Sequence, residues 1–308
     1  MTIPYHRLAR TPGHRWWRTL LGTLFVVVAG VVLMGAGYVV VTLAALAAGR
    51  PENADGDPSF GPLADLAVGF LSIAVLLPVT LLAARWIQGR PAGGLSSVAG
   101  RLRWKWLLTC VPVAVVFLVL FLTLASLLPG GEVVEGSDTL AGWGPFLGSL
   151  LVLLLVVPLQ AAAEEYLCRG WLLQAAGAWL RSPWIPIVLQ ALVFAALHGW
   201  GTPWGFADLC AFGVVAGWLT VRTGGLEAAI ALHVVNNLLS TALAAAYGQL
   251  ALDETAADLP WELVALDVPM LLAYAAVILW LARRRLPAGS SGGPACDVVS
   301  LGGPVAAR

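Results

Sequence analysis

Charged residues are scarce in this sequence. Only 11% of its 308 residues are Asp, Glu, Lys or Arg, and 59% are apolar, whereas an ordinary soluble domain carries about 25% charged residues. Several segments contain about 20 mainly apolar residues, the length that crosses the hydrocarbon core of a bilayer. The composition therefore excludes an ordinary soluble globule and predicts an all-α, multi-pass helical membrane bundle.

Several familiar site motifs are also missing. The four cysteines form no CxxC pair, and three of them lie in predicted membrane segments, so we expect reduced, apolar side chains. There is no HExxH motif, no Gly-rich phosphate loop, no nucleic-acid-binding patch and no inverted repeat of the kind that many transporters contain. We therefore expect no nucleic-acid partner.

The apolar segments predict eight membrane-spanning helices. A basic N-terminus, residues 1–18, precedes an apolar run that is too long for a cleaved signal peptide, so we interpret this run as the first span. Residues 286–308 are rich in Gly, Pro, Ser and Ala and are predicted to be a disordered tail. The spans are predicted at about 19–48, 63–84, 107–128, 146–180, 185–198, 206–221, 226–247 and 263–281.

The basic residues are segregated between the loops. Every Lys and Arg except Arg50 and Arg169 falls on one side of the eight-span arrangement, whereas the opposite loops are acidic. The positive-inside rule then places both termini in the cytoplasm. We accordingly expect a multi-pass protein of the inner (plasma) membrane.

Strongly polar side chains at membrane depth concentrate in the fourth to seventh spans. A buried charge there costs about 2.5–3.5 kcal/mol on the insertion scale, so it requires a partner or a function. Residues 19–128 and the last helix, 261–285, are interpreted as scaffold, and Gly213 and Gly217 predict close packing of the sixth span. The polar residues are Glu164, Glu165, Arg169, His198, Asp208, His233, Asn236 and Asn237.

Other carboxylates lie close to the ends of predicted spans. Asp65, Asp208, Glu227 and Asp267 all occupy such positions. A span end lies near the membrane surface, so we expect these four groups to be solvated.

Helical spacing sorts the polar residues into pairs. Glu165 and Arg169 are four residues apart and can form an ion pair. Glu164 is rotated by about 100° from Glu165, so it is predicted to remain outside that pair. His233 and Asn237 are also four apart and share one face of the seventh span.

A free carboxylate, two imidazoles and one amide can together hydrolyse a peptide bond. The carboxylate of Glu164 could act as a general base on water, and N–H groups could stabilise the oxyanion. The Glu165–Arg169 pair could instead serve only to fix helix register. Glu and two His are also possible zinc ligands, and spacing alone leaves that alternative open.

Three motifs in this region resemble those of the CPBP family, which comprises CAAX proteases and bacteriocin-processing (Abi) enzymes that act as intramembrane endopeptidases. EExxxR matches Glu164–Arg169, FxxxH matches Phe194–His198, and HxxxN matches His233–Asn237. The linker at residues 222–226 is also similar to that of the family. The resemblance spans about residues 145–245, so region 145–247 is predicted to be catalytic.

The resemblance implies a role for each motif residue. Glu164 would activate water with the help of His198, and His233 and Asn237 would form the oxyanion hole. Glu165 and Arg169 would support the site. The family resemblance implies a mechanism without metal or cofactor, acting on a peptide or protein substrate in or at the lipid bilayer.

Three alternatives remain. The family also includes immunity and scaffold proteins without proven proteolysis, so a non-proteolytic membrane protein is one. A zinc-dependent variant of the same protease is the second. The third is a proton-coupled transporter in which Glu164 and the histidines form a relay. Neither the substrate nor the oligomeric state follows from the sequence.

Overall fold

The computed structural model describes residues 3–53, 56–128, 139–250 and 256–286, and within these ranges it is a helical bundle without a β-strand. The predicted all-α, multi-pass architecture is thereby confirmed. The predicted tail and much of the acidic loop after the third span lie outside the described residues. The main helices are α1 (Trp16–Ala47), α2 (Pro62–Ile87), α3 (Trp104–Ala125), α4 (Trp143–Gly177), α5 (Trp184–Leu197), α6 (Pro203–Thr223), α7 (Glu227–Ala246) and α8 (Trp261–Arg285).

Seven of these described helices are long and apolar enough to cross a membrane, and α5 is the exception. With 14 residues, α5 rises only about 21 Å, which is less than the roughly 30 Å of a bilayer core. The fifth predicted span is therefore a shorter apolar helix within the bundle. The orientation of the termini stays a prediction.

Burial separates the helices into a centre and a periphery. The apolar window of α6 is 56% buried, whereas that of α1 is 11% buried. Helix α1 presents large apolar side chains such as Val31 and Val40 on its surface, where lipid rather than water would solvate them. The bundle is consequently built around α6, with α1 at its edge.

Helix α6 packs closely against α5 through the two glycines that the sequence singled out. A Cβ atom on Gly213 would lie 2.7 Å from Cβ of Ala191, and one on Gly217 would lie 2.7 Å from Nε2 of Gln190. The Gln190 amide donates a hydrogen bond to the Gly213 carbonyl at 2.7 Å. The predicted small-residue contact is therefore present.

Two of the four carboxylates at span ends are buried, contrary to our expectation. Glu227 has no exposed surface and Asp208 is 9% exposed. Glu227 is bound by Arg103 from the segment that joins α2 and α3, and Asp208 faces α8, where it interacts with Asp267. The expectation was wrong for Glu227 and Asp208 because neighbouring segments cover these helix ends.

The connecting segment 88–103 folds back onto the turn that precedes α7. The Val98 N–H donates to the Gly224 carbonyl at 2.8 Å, and the Leu226 N–H donates to the Ser96 carbonyl at 2.9 Å. These backbone bonds fix the turn at the start of α7. The segment thereby determines where α7, which carries two of the predicted site residues, enters the bundle.

The basic N-terminus also docks onto this end of the bundle. Tyr5 is fully buried and its hydroxyl donates to the Leu95 carbonyl, while His6 Nε2 donates to the Arg181 carbonyl at 3.1 Å. A Cβ on Gly177 would lie 2.0 Å from the His6 carbonyl oxygen, so only glycine permits this approach. Burial of the His6 imidazole lowers its pKa.

Candidate active site

Helix α4 changes its geometry where the paired glutamates occur. Residues Trp143–Glu165 are α-helical, and the following turn, Tyr166–Leu172, is a π-helix before the α-helix resumes. A π-helical turn is wider than an α-helical one and is frequent at functional sites. Glu164 and Glu165 thus lie at the last two α-helical positions before this wider turn.

Glu165 is the buried anchor of the cluster. Its carboxylate has no exposed surface, and Oε1 accepts hydrogen bonds from Arg169 Nη1 at 2.9 Å and from His233 Nδ1 at 2.8 Å. The expected Glu165–Arg169 contact is therefore present. The contact with His233 was not anticipated, and it ties α4 to α7.

Two aromatic rings from neighbouring helices enclose the Arg169 guanidinium. Its central carbon lies 4.2 Å from the ring centre of Phe194 on α5 and 5.5 Å from that of Phe212 on α6. Both rings also contact the His233 imidazole edge-on, with centroids 5.8 and 5.4 Å away. Cation–π attraction is strong for a desolvated cation, about 2 kcal/mol, so these rings stabilise a buried charge.

The two carboxylate oxygens of Glu164 have different surroundings. Oε1 accepts a hydrogen bond from the Gln160 amide at 2.6 Å. Oε2 has no hydrogen-bond partner in the described structure, and it lies 3.6 Å from Nε2 of His233 and 3.9 Å from Nε2 of His198. One oxygen is thus held by an amide while the other points at both imidazoles.

Each histidine uses Nδ1 for support and turns Nε2 towards Glu164. His198 follows directly after the last residue of α5, and its Nδ1–H donates to the Phe194 carbonyl at 2.8 Å. The Nδ1–H of His233 donates to Glu165. Because a neutral imidazole carries one proton, both Nε2 atoms then bear lone pairs unless the ring takes up a second proton.

Asn237 reaches the cluster through a residue that the sequence analysis missed. Its amide Nδ2 donates to Gln160 Oε1 at 3.0 Å, and Gln160 in turn donates to Glu164. Gln160 is a polar residue in an apolar run and precedes Glu164 by four residues. This spacing places both side chains on one helix face, so the sequence could have indicated their contact. The structure thus brings together all six predicted site residues and adds Gln160.

Two other polar residues stay outside this network. Asp208 interacts with Asp267 instead, and the side chain of Asn236 takes no part in the hydrogen bonds that link α4 to α7. Among the described residues, no group of three or more His, Cys, Asp and Glu side chains has the arrangement of a metal site. The cluster that the structure does form consists of two carboxylates, a guanidinium, two imidazoles and two amides, from Glu164, Glu165, Arg169, His198, His233, Asn237 and Gln160. Hydrolysis could use its free carboxylate as a base and its N–H groups as oxyanion donors.

Comparison with known proteins supports that chemistry. Residues 146–239 match the model of the family described as type II CAAX prenyl endopeptidase Rce1-like. The matched stretch includes Glu164, His198, His233 and Asn237, so the resemblance to CPBP proteases is confirmed for this part of the chain. The match covers less than a third of the chain, and over these residues the chain is similar to a family of CAAX-type proteases.

One bacterial protein is related over a longer stretch. The chain is 26% identical over 186 residues to YyaK of Bacillus subtilis strain 168, which is itself described as uncharacterized. The match covers 58% of this chain and 60% of YyaK, so it leaves part of each protein without a counterpart. No solved structure matches the chain.

Proposed function

We propose that this protein is an intramembrane endopeptidase of the plasma membrane in which Glu164 activates water to hydrolyse a peptide bond. The observation that carries the proposal is the unpartnered Oε2 of Glu164, which faces Nε2 of both His198 and His233 within 4 Å. A buried carboxylate oxygen without a hydrogen-bond donor is costly, about 1–3 kcal/mol or more. A catalytic water would supply that donor.

The spacing of Glu164 and His198 suits one bridging water. Their facing atoms are 3.9 Å apart, too far for a direct hydrogen bond. A water between them could donate one hydrogen to the carboxylate and the other to the neutral imidazole. Proton transfer to Glu164 would leave a hydroxide-like nucleophile, and the carboxylic acid could later return the proton to the leaving amine.

His233 and Asn237 would stabilise the oxyanion on the substrate carbonyl. Asn237 has two amide hydrogens, of which one is used by Gln160, so the second is available to the substrate. His233 Nε2 could donate only when the ring is protonated, because its Nδ1–H is bound to Glu165. A protonated ring and Arg169 would together balance the charges of Glu164 and Glu165.

The substrate would be a peptide or protein that reaches the site from the membrane. The matching family is described as acting on prenylated CAAX sequences, so a peptide with a lipid-modified cysteine near its carboxyl end is the first substrate class to test. The surrounding surface presents large exposed apolar side chains near His198, including Leu197 and Trp200. Such a surface suits a lipid-bearing substrate.

The direct test compares the wild type with Glu164→Gln in lipid nanodiscs. We expect cleavage of fluorogenic membrane peptides, with and without a prenylated cysteine, to fall by about 10²–10⁴-fold, because Gln cannot act as a general base. Glu262→Gln is a matched control, since Glu262 is exposed at the start of α8. Equal cleavage by wild type and Glu164→Gln would disprove the mechanism.

Two further measurements separate the alternatives. A chelator should leave the rate unchanged; loss of activity that zinc restores would instead establish the metal-dependent variant. Mass spectrometry of membrane-peptide termini in cells with wild type or Glu164→Gln would identify the natural substrate. Identical termini, together with no cleavage of any peptide in nanodiscs, would favour a scaffold or immunity role.

A further inference from the structure

Gln160 connects the two sides of the proposed active site. The residue is 3% exposed, and both the nitrogen and the oxygen of its side-chain amide form hydrogen bonds. Nε2 donates to Glu164 at 2.6 Å on the same helix, whereas Oε1 accepts from Asn237 at 3.0 Å on α7. One residue therefore contacts both the carboxylate and the amide that the mechanism uses.

The direction of this chain of hydrogen bonds follows from the charge of Glu164. An ionised carboxylate only accepts hydrogen bonds, so Gln160 must turn its NH₂ group towards it. The carbonyl of Gln160 then faces Asn237, whose NH₂ group must donate the hydrogen bond to it. The ionised base thereby orients the Asn237 amide so that a hydrogen, rather than an oxygen, is available to the substrate.

We propose that Gln160 is a positioning residue that orients both Glu164 and Asn237 for catalysis, an inference that rests on the proposed function. Loss of Gln160 would free Oε1 of Glu164 and allow the Asn237 amide to rotate. Because neither group is used to bind the substrate in its ground state, the loss should lower kcat more than it changes KM.

Gln160→Met tests this, since Met has nearly the same shape and no hydrogen-bonding amide. Removing a hydrogen bond to a charged group lowers kcat by about 10–100-fold, and we expect KM to change less than about threefold. Gln190→Met is the matched control. Gln190 is also fully buried and bonded twice, to the carbonyls of Ile187 and Gly213, but it lies outside the site.

A double-mutant cycle distinguishes positioning from general structural support. If Gln160 acts through Asn237, then Gln160→Met combined with Asn237→Leu should lower kcat by clearly less than the product of the single effects. Gln160→Glu is a second variant of similar size that cannot donate to an ionised Glu164, and it too should lose activity.

The outcomes are separable. Suppose that the wild type cleaves and Glu164→Gln does not. If Gln160→Met then retains full kcat, or if its effect on kcat and that of Asn237→Leu simply multiply in the double variant, the positioning role is overturned and the proposed function stands. Equal loss of kcat in Gln190→Met would also overturn it, because the effect would then be one of stability. If the wild type cleaves nothing, the proposed function and this inference fail together.

A second, independent observation concerns a cavity at the ends of α3 and α8. An open cavity of about 430 Å³ lies between the beginning of α3 and the end of α8. It is lined by Arg103, Lys105, Trp106, Thr109, Arg285 and Leu286. None of these residues belongs to the proposed active site.

The cavity contains uncompensated positive charge. Arg103 is neutralised by Glu227, but Lys105 and Arg285 form no ion pair with any described acidic residue. Arg285 Nη1 donates to the Thr109 hydroxyl at 3.3 Å, which aligns the guanidinium with the cavity wall. The indole N–H of Trp106, a side chain that is 4% exposed, has no partner among the described residues.

The position of the cavity indicates the kind of anion it would bind. Exposed Trp104 and Trp280 lie on the same two helix ends, and tryptophan is enriched where a membrane meets water. Basic pockets between membrane helices at this level bind phosphate head groups of anionic lipids. We propose that Lys105 and Arg285 bind the phosphate group of an anionic phospholipid.

The test measures lipid binding to the full chain in detergent by native mass spectrometry, with phosphatidylglycerol, phosphatidylcholine or inorganic phosphate added. Each cation contributes about fivefold to the affinity for an anionic head group, so Lys105→Gln/Arg285→Gln should weaken phosphatidylglycerol binding about 25-fold. The matched control is Arg85→Gln/Arg101→Gln, which removes two exposed arginines outside the cavity. The control should bind like the wild type.

Equal binding by the wild type and the cavity variant would overturn the proposal. An equal loss in both double variants would do the same, because it would reflect general surface charge. Displacement of the lipid by millimolar inorganic phosphate would support the anion site but assign it to a soluble anion. Phosphatidylglycerol binding that survives phosphate would assign it to the lipid.

Discussion

The ion pair between Arg103 and Glu227 provides the sharpest prediction about stability. The Glu227 carboxylate is fully buried at the first residue of α7. It accepts hydrogen bonds from the Arg103 backbone N–H at 2.8 Å, from Nε at 2.8 Å and from Nη2 at 2.6 Å, while Nη1 donates to the Thr223 carbonyl at 3.0 Å. The Arg103 side chain therefore supplies two of these three hydrogen bonds to the buried carboxylate, together with the opposite charge.

Arg103→Met removes the side-chain partners and leaves the carboxylate with one backbone donor. Removing one member of a buried pair costs about 3–5 kcal/mol, because the remaining charge stays desolvated. Since 13% of the Arg103 side chain is exposed, some water can reach the carboxylate, and we expect the lower end, about 3 kcal/mol. The variant Arg103→Met/Glu227→Met has no buried charge, so it should lose less than about 1.5 kcal/mol.

The assay is a double-mutant cycle on the free energy of unfolding in mixed micelles. We expect a coupling energy of at least about 2 kcal/mol, with the double variant more stable than either single variant. Arg101→Met is a suitable control because Arg101 is exposed two residues earlier and lies outside the cavity. If Arg103→Met costs less than about 1 kcal/mol, or if the single effects add, the pair does not stabilise the start of α7.

Two other residues at this end of the bundle lead to further predictions. Gly225→Ala should lower the free energy of unfolding by about 1–3 kcal/mol in the same assay. The added Cβ would lie 2.4 Å from Oε2 of Glu227 and 2.6 Å from Nη2 of Arg103. Unchanged stability would show that the Arg103–Glu227 ion pair can shift to make room. The lowered pKa of His6 means that the unfolded segment takes up a proton first as the pH falls below about 6.5, so N-terminal docking weakens in acid. The protection factors of residues 3–9 in amide hydrogen exchange, which correct for the pH dependence of intrinsic exchange, should therefore be lower at pH 5.5 than at pH 7.5. His6→Asn should abolish the difference, and equal protection factors in the wild type would contradict this explanation.

The membrane helices could be predicted because their cause is local. Each span is an apolar run of bilayer length, and in lipid the backbone must satisfy its own hydrogen bonds, which a helix does. The Glu165–Arg169 contact is likewise local, since four residues of helix bring the two side chains together. In both cases the determining interaction lies within one segment of sequence.

The partners of Glu227 could not be predicted in the same way. Its position at a span end suggested solvation, yet Arg103 lies 124 residues earlier in the chain and binds it. That contact depends on how segment 88–103 folds back on the turn before α7, and helical periodicity carries no information about this. Burial of a charge at a helix end is therefore a property of the tertiary fold.

The contact between Glu165 and His233 shows that the two adjacent glutamates have different partners and therefore different proposed roles. Sequence spacing separated the two carboxylates by direction, but it could not say which other helix each one faces. In the structure Oε1 of Glu165 accepts hydrogen bonds from Arg169 and from an imidazole. Oε1 of Glu164 accepts one from an amide, and its Oε2 lies within 4 Å of both Nε2 atoms. Oε1 of Glu165 is already bound to Arg169 and His233, and these contacts hold that carboxylate between α4 and α7. Oε2 of Glu164 instead faces Nε2 of both histidines, where a water could bind, and this difference in position is the physical reason for assigning the proposed chemistry to Glu164.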